Sequence, residues 1–233
     1  MLYTEQNVRD NIRNREGKRI FFLGTGDQLT PGARDWLRKE RIEIRPAETA
    51  KIDTYRLLSG GFVTEKPEHM THLNGDVLVR KTHPRIAFRG KMDNLETELM
   101  LCQLIVPEFR QELGEVLALS RRLIRCDVLD EPVPQQKLCG MTEAELRKRS
   151  HFPQEYYGQP HFMPEYTDGQ GMLQLNKARC AAREAERMAA EVFQDREGNP
   201  TRVDILQAMN RMSSMLWILM IRLKKERGAA NGR

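Results

Sequence analysis

From Pro84 onward, apolar residues return every three or four positions almost to the end of the chain. That period lays them along one stripe of an α-helix. The pattern predicts five helices. The first starts near Pro84 and runs through Leu95, Leu99, Leu101, Leu104 and Ile105. The second begins at about Pro107, carries Leu113, Val116, Leu117, Leu119, Leu123 and Ile124, and stops before Pro132. Thr142 and Glu145 have the spacing of a capping box and open a short third helix. A polar loop with Gly158, Pro160, Pro164 and Gly169 leads to the fourth. Its seam is Leu175, Ala178, Ala182, Ala185, Ala189 and Val192, and so much alanine lets another helix approach closely. The fifth is capped by Thr201, has Asp204 in its first turn, and carries Leu206, Met209, Met212, Leu216, Met220 and Leu223 at bundle spacing. Residues 228–233 read as a frayed tail.

The amino-terminal part has a different rhythm. Arg19–Leu23 is a short apolar strand, and Thr30 with Pro31 opens a helix that runs through Lys39. Ile42–Ile44 returns as a second strand. Gly24-Thr25-Gly26-Asp27 joins strand to helix, and a plain turn is favoured there over a phosphate loop. Pro46, Gly60-Gly61, Pro67 and Asn74-Gly75 punctuate the following stretch. The expected organisation is therefore a β-α-β appendage over 1–50, a linker and substrate loop over 51–75, and a mainly α five-helix bundle over 76–227.

Composition narrows the function. Of 233 residues, 30% are charged and 6% aromatic, a balance that suits a helical protein in water. The 38 basic and 33 acidic side chains are interleaved, and the net charge of +5 points to a small anionic ligand rather than to nucleic acid. No apolar run reaches the roughly 20 residues of a membrane span. Met215–Ile221 is short, lies between Arg211 and Arg222, and reads as buried helix. The four cysteines form no C-x-x-C pair and read as reduced thiols of a cytoplasmic protein.

The candidate chemistry lies on the fourth and fifth helices. Arg179, Arg183 and Glu186 stand at i, i+4 and i+7, on one stripe. Two guanidiniums held at the rim of a tight helix contact suit phosphate oxygens; a solvated face has the same spacing. Asn210 is placed to project into the bundle, either as a register-setting amide or as a ligand donor. His69, His72 and His83 cluster without further metal ligands nearby, so they read as surface histidines. Asp127, Asp130 and Glu131 read as a solvated helix end.

In combination these segments resemble the corrinoid adenosyltransferases, the ethanolamine-utilisation type most and the propanediol-utilisation type more distantly. Val79–Asp93 is similar to that family's first-helix signature, with His83 in place of the acidic residue before Pro84. Arg179–Arg187 resembles its ATP-contacting segment, and Asn210-Arg211-Met212-Ser213 its last-helix motif. Residues 29–34 resemble the amino-terminal appendage of the ethanolamine branch. The resemblance implies that Co(I) of a reduced cobalamin attacks the 5′ carbon of ATP. Arg179 and Arg183 would hold the leaving triphosphate with Mg²⁺, Glu186 would orient the nucleotide or the arginines, and Asn210 would bond the phosphates. Asp93 would brace Arg179. Phe162 and Met163, with His161 beside them, would wedge against the lower face of the corrin. Lys66, Thr71 and His72 stand where the propanediol type has a glycine-rich phosphate loop. No cysteine precedes Cys102, so the metal-binding cysteine cluster of some ethanolamine-type members is not expected. The resemblance further implies a homo-oligomer (trimer or dimer) with ATP between subunits, a reductase supplying Co(I), and ethanolamine ammonia-lyase, with or without a bacterial microcompartment shell, as the setting. A non-catalytic cobalamin carrier with the same bundle is the alternative.

Overall fold

The computed structural model describes residues 1–15, 17–47 and 54–231, and the chain divides into two compact units, 1–83 and 84–233. In the first unit, β1 (Leu2–Tyr3), α1 (Glu5–Asp10), β2 (Arg13–Arg15), β3 (Lys18–Leu23), β4 (Gln28–Leu29), α2 (Pro31–Lys39) and β5 (Glu43–Pro46) follow one another. The expected β-α-β piece is present: β3 and β5 pair in parallel across α2, and β2 adds an antiparallel edge. Thr30 caps α2, its hydroxyl accepting the Ala33 N–H at 3.3 Å. Val8, Ile12, Phe21, Ala33, Leu37 and Ile42 form a small core. Asp27 settles the Gly24–Asp27 loop as a turn. Its carboxylate accepts the Gly24 N–H at 3.2 Å and pairs with the amino group of Met1 at 2.6 Å.

The stretch expected to be linker is largely folded. Its part at 48–53 lies outside the described residues, but β6 (Tyr55–Leu57), β7 (Phe62–Val63), β8 (Met70–Asn74) and β9 (Val77–Arg80) form a four-stranded sheet in the order β7-β6-β9-β8. Asn74-Gly75, with Gly75 at φ 50°, turns β8 back onto β9. These strands are two to five residues long, too short for alternation to stand out among glycines and prolines. The bundle accordingly starts at Pro84 and not at 76.

In the second unit, α3 (Pro84–Ile105), α4 (Arg110–Leu129), α5 (Glu143–His151), α6 (Pro153–Tyr157), α7 (Gly169–Val192) and α8 (Val203–Asn231) make the expected mainly α bundle. The fold adds one short helix, α6, to the five anticipated. Helix α3 packs on α4 and α7, α7 on α8, and α8 on α4, with α5 and α6 laid against α8. The α7 seam is fully buried at Leu175, Ala178, Ala182, Ala185 and Ala189, and all of Met215–Ile221 is buried. The capping box of Thr142 and Glu145 forms as expected.

Three local expectations are corrected. Thr201 does not cap α8, which starts two residues later; its N–H donates to the Phe193 carbonyl instead. The presumed tail is helical through Asn231, and 232–233 lie outside the described residues. Asp127 is not solvated. It is completely buried, and its two carboxylate oxygens accept from Arg85 at 2.8 Å and Arg89 at 2.7 Å. The arginines come from one turn of α3, four residues apart, so their heads converge on one carboxylate.

Candidate functional site

Helices α7 and α8 run side by side, and the loop 159–165 before α7 folds over their shared edge. The result is a cleft of about 650 Å³, lined among others by His161, Phe162, Met163, Asn176, Arg179, Arg183, Asn210, Ser213, Ser214 and Trp217. A recess of about 570 Å³ shares Cys180, Arg183, Asn210 and Ser213 with it and adds Glu186 and Arg187. The residues singled out on the fourth and fifth helices and on the loop thus do converge.

Arg179 is the best-placed of them. Its guanidinium lies 5.1 Å from the centre of the Trp217 ring, over its face. Its Nε is buried and makes no hydrogen bond. Burial, and then repulsion from Arg183, pushes its pKa below the usual arginine value. Arg183 is exposed one turn further on, and among the described residues it forms no ion pair. A half-buried guanidinium beside a second cation, with no acidic partner among the described residues, is stabilised by a bound anion.

Glu186 neutralises neither of them. It accepts a hydrogen bond from the Asn210 amide at 2.8 Å, and Arg211 donates to the Asn210 oxygen. Asn210 is therefore oriented, its oxygen toward Arg211 and its amide toward Glu186. The Ser213 and Ser214 hydroxyls both donate to the Asn210 carbonyl at 3.1 Å, the local bonding that Ser adopts inside a helix.

The loop residues separate. His161 stacks on Trp217 at 5.8 Å with the planes 7° apart, and its Nε2 lies 3.2 Å from the His151 carbonyl. Phe162 tilts against Trp217 at 5.0 Å. Met163 is 85% exposed and touches little. Trp217 is thus the common floor of Arg179, His161 and Phe162. Sequence reasoning missed it, although it stands seven residues after Asn210, on the same helical face.

The remaining expected residues lie elsewhere. Asp93 is exposed on α3; its carbonyl accepts from Thr97, and among the described residues no ion pair joins it to Arg179 within the chain. Lys66, Thr71 and His72 belong to the first unit, before and on β8, where the His72 ring meets Tyr55 edge-on at 5.6 Å. Among the described residues no three His, Cys, Asp or Glu side chains converge as a metal site, His69, His72 and His83 included. No helix of the described residues is long and apolar enough to cross a membrane.

Residues 62–223 match the family model for cobalamin adenosyltransferase. The chain is 32% identical to the corrinoid adenosyltransferase EutT of Salmonella typhimurium, over 94% of its own length and 90% of that protein's. It is 34% identical to the corrinoid adenosyltransferase EutT of Escherichia coli strain K12 over the same shares.

Proposed function

The chain belongs to the cobalamin adenosyltransferase family and is a transferase acting on corrinoid and ATP, and from that premise we propose that the α7–α8 cleft is where the adenosyl group changes hands. Arg179 and Arg183 receive the triphosphate of ATP. The electron pair of Co(I) forms the cobalt–carbon bond at the 5′ carbon as the bond from that carbon to the triphosphate oxygen breaks. The triphosphate departs with the pair of the broken carbon–oxygen bond, and negative charge grows where the two guanidiniums stand. No side-chain acid, base or nucleophile is required; positioning and exclusion of water carry the chemistry.

One observation supports this most: Arg179 lies half-buried on Trp217 with an unsatisfied Nε, beside an Arg183 that has no ion pair among the described residues. Such an array holds strong donors ready without having to break internal ion pairs first. Glu186 and Arg211 hold Asn210 for contact with the phosphates. Mg²⁺ suits these residues only as an ion carried by the triphosphate: among the described residues, Glu186 is the single carboxylate of the arginine stripe, and it is engaged by Asn210. Phe162, already on Trp217, offers the apolar face for the corrin, and exposed Met163 is free to fold onto it.

Asp93 is exposed and not bonded to Arg179 in its own chain, which fits a homo-oligomer, trimer or dimer, in which another copy supplies it. The setting we propose is cytoplasmic, with a reductase delivering Co(I) and ethanolamine ammonia-lyase using the product, at a microcompartment or free of one. ATP-dependent formation of adenosylated corrinoid under a strong chemical reductant tests the reading; no product would favour a carrier role. Arg183→Ala should abolish turnover with the helical circular dichroism unchanged. Near-normal turnover would reduce the stripe to a solvated face.

A further inference from the structure

A second groove, of about 750 Å³, opens between α5 and α8. Its charged lining comes from Lys137, Arg147 and Arg211, with Glu143 as the acid among them. Arg211 is the informative residue. One of its terminal nitrogens donates to Asn210 and another to the Glu143 carbonyl at 3.2 Å, while its Nε is buried without a partner. Burial and then repulsion from Arg147 weigh against its charge, and Glu143 and Glu186 relieve this only in part. Glu143 is itself engaged, accepting a hydrogen bond from Gln207.

Among the described residues neither Arg147 nor Lys137 forms an ion pair. Arg147, exposed, and Arg211, half-buried with a buried Nε that has no acceptor, line one groove as two cations, an arrangement that suits a shared anion. The backbone adds to this. The capping box of α5 consumes the N–H groups of Thr142 and Glu145 and leaves those of Glu143 and Ala144, at the same rim, for a ligand or water. Behind the rim the groove continues into a mixed recess of about 140 Å³, with Leu119, Leu138, Leu146 and Ala208 as its apolar part and Gln135, Gln136, Asp204 and Gln207 as polar lining.

We propose that this groove is a second anion site, separate from the α7–α8 cleft, that binds a phosphate-bearing ligand on Arg147 and Arg211. Arg211 also holds Asn210, so the two sites share one side chain. The phosphate can come from two sources: the free polyphosphate released by the reaction proposed above, or a nucleotide whose base fills the recess. The site itself does not depend on that reaction.

Calorimetric titration of the full-length protein with inorganic triphosphate, without corrinoid and therefore without turnover, tests it. Two classes of binding are expected. One is lost in Arg183→Ala; the other weakens about tenfold or more in Arg147→Ala, the loss expected for one charge-assisted contact. Arg147→Lys should recover part of it. Arg147 is exposed, so neither variant endangers the core. Binding that Arg147→Ala leaves unchanged overturns the second site while leaving the cleft untouched. Binding sensitive to Arg147→Ala but not to Arg183→Ala upholds the second site and counts against the cleft. Tighter binding of adenosine monophosphate than of inorganic phosphate at the Arg147-dependent site assigns it to a nucleotide, and equal binding assigns it to the free anion.

Discussion

Trp217 shows how a residue of ordinary composition acquires a role by position. A cation over an indole face gains up to about 2 kcal/mol when desolvated. In the cleft that contact fixes a half-buried guanidinium that finds no carboxylate among the described residues. Trp217→Leu should therefore lower kcat/KM for ATP by about tenfold, with Trp217→Phe retaining most of it, as steady-state kinetics would read. Equal activity of the Leu variant would make Trp217 core and nothing more. The cysteines make a separate residue-scale case. Burial, with nearby carboxylates, pushes the thiols of Cys102 and Cys139 up to about 12, and that of Cys126 above its usual value. A raised pKa keeps the unreactive thiol form through neutral and mildly alkaline pH, and only the thiolate alkylates. Cys180 is exposed at the cleft. Iodoacetamide near pH 8 should modify Cys180 alone, with ATP slowing it, as peptide mass mapping would detect.

At the scale of elements, α7 carries two demands on one cylinder. Its alanine seam brings α3 and α8 close, and the adjoining stripe then emerges at the rim of the α7–α8 contact rather than in open water. Ala185 is completely buried, so Ala185→Leu should cost about 1–3 kcal/mol by overpacking, measured by urea unfolding. Turnover should fall with it, because any outward shift of α7 moves both arginines. A second device ties α3 to α4. Removing the buried Asp127 carboxylate leaves Arg85 and Arg89 converging on nothing. Asp127→Ala should destabilise the protein by about 3–5 kcal/mol, visible in the same denaturation experiment. No loss of stability would mean that the carboxylate's desolvation already offset its ion pairs.

For the whole molecule, the decisive fact is what a single chain lacks. Arg179 and Arg183 have no acidic partner among the described residues of their own chain, and Asp93 is exposed on α3. If one copy completes the site of another, Asp93→Ala and Arg183→Ala proteins, each inactive alone, should regain activity when mixed. A mixed assembly then contains some sites with both residues intact. Persistent inactivity, with subunit exchange verified by mass, would confine the site to one chain.

Much of this protein follows from its sequence. Helical periodicity placed α3, α4, α7 and α8 within a few residues, because each buries a continuous stripe and apolar spacing records that burial directly, and a capping box marked the start of α5. The Thr30 and Thr142 caps were legible because they satisfy backbone groups within the same few residues. The arginine stripe, Glu186 and Asn210 were legible as types and spacings, and the 161–163 loop only through the family resemblance. The short strands of 55–80 were not, since strands of two to five residues carry too little alternation among glycines and prolines, and β6 pairs with β9 rather than only with its neighbour in sequence. Neither was the burial of Asp127, which depends on α3 delivering two arginines from about forty residues away in sequence. The Trp217 floor, and the choice of Glu186 for Asn210 rather than for an arginine, exist only once α7, α8 and the loop are packed. Sequence thus determined which side chains each element presents, because that depends on neighbours along the chain. Only tertiary structure decided which charges are compensated and which are left for a ligand, because burial and Coulomb interaction depend on distance through space.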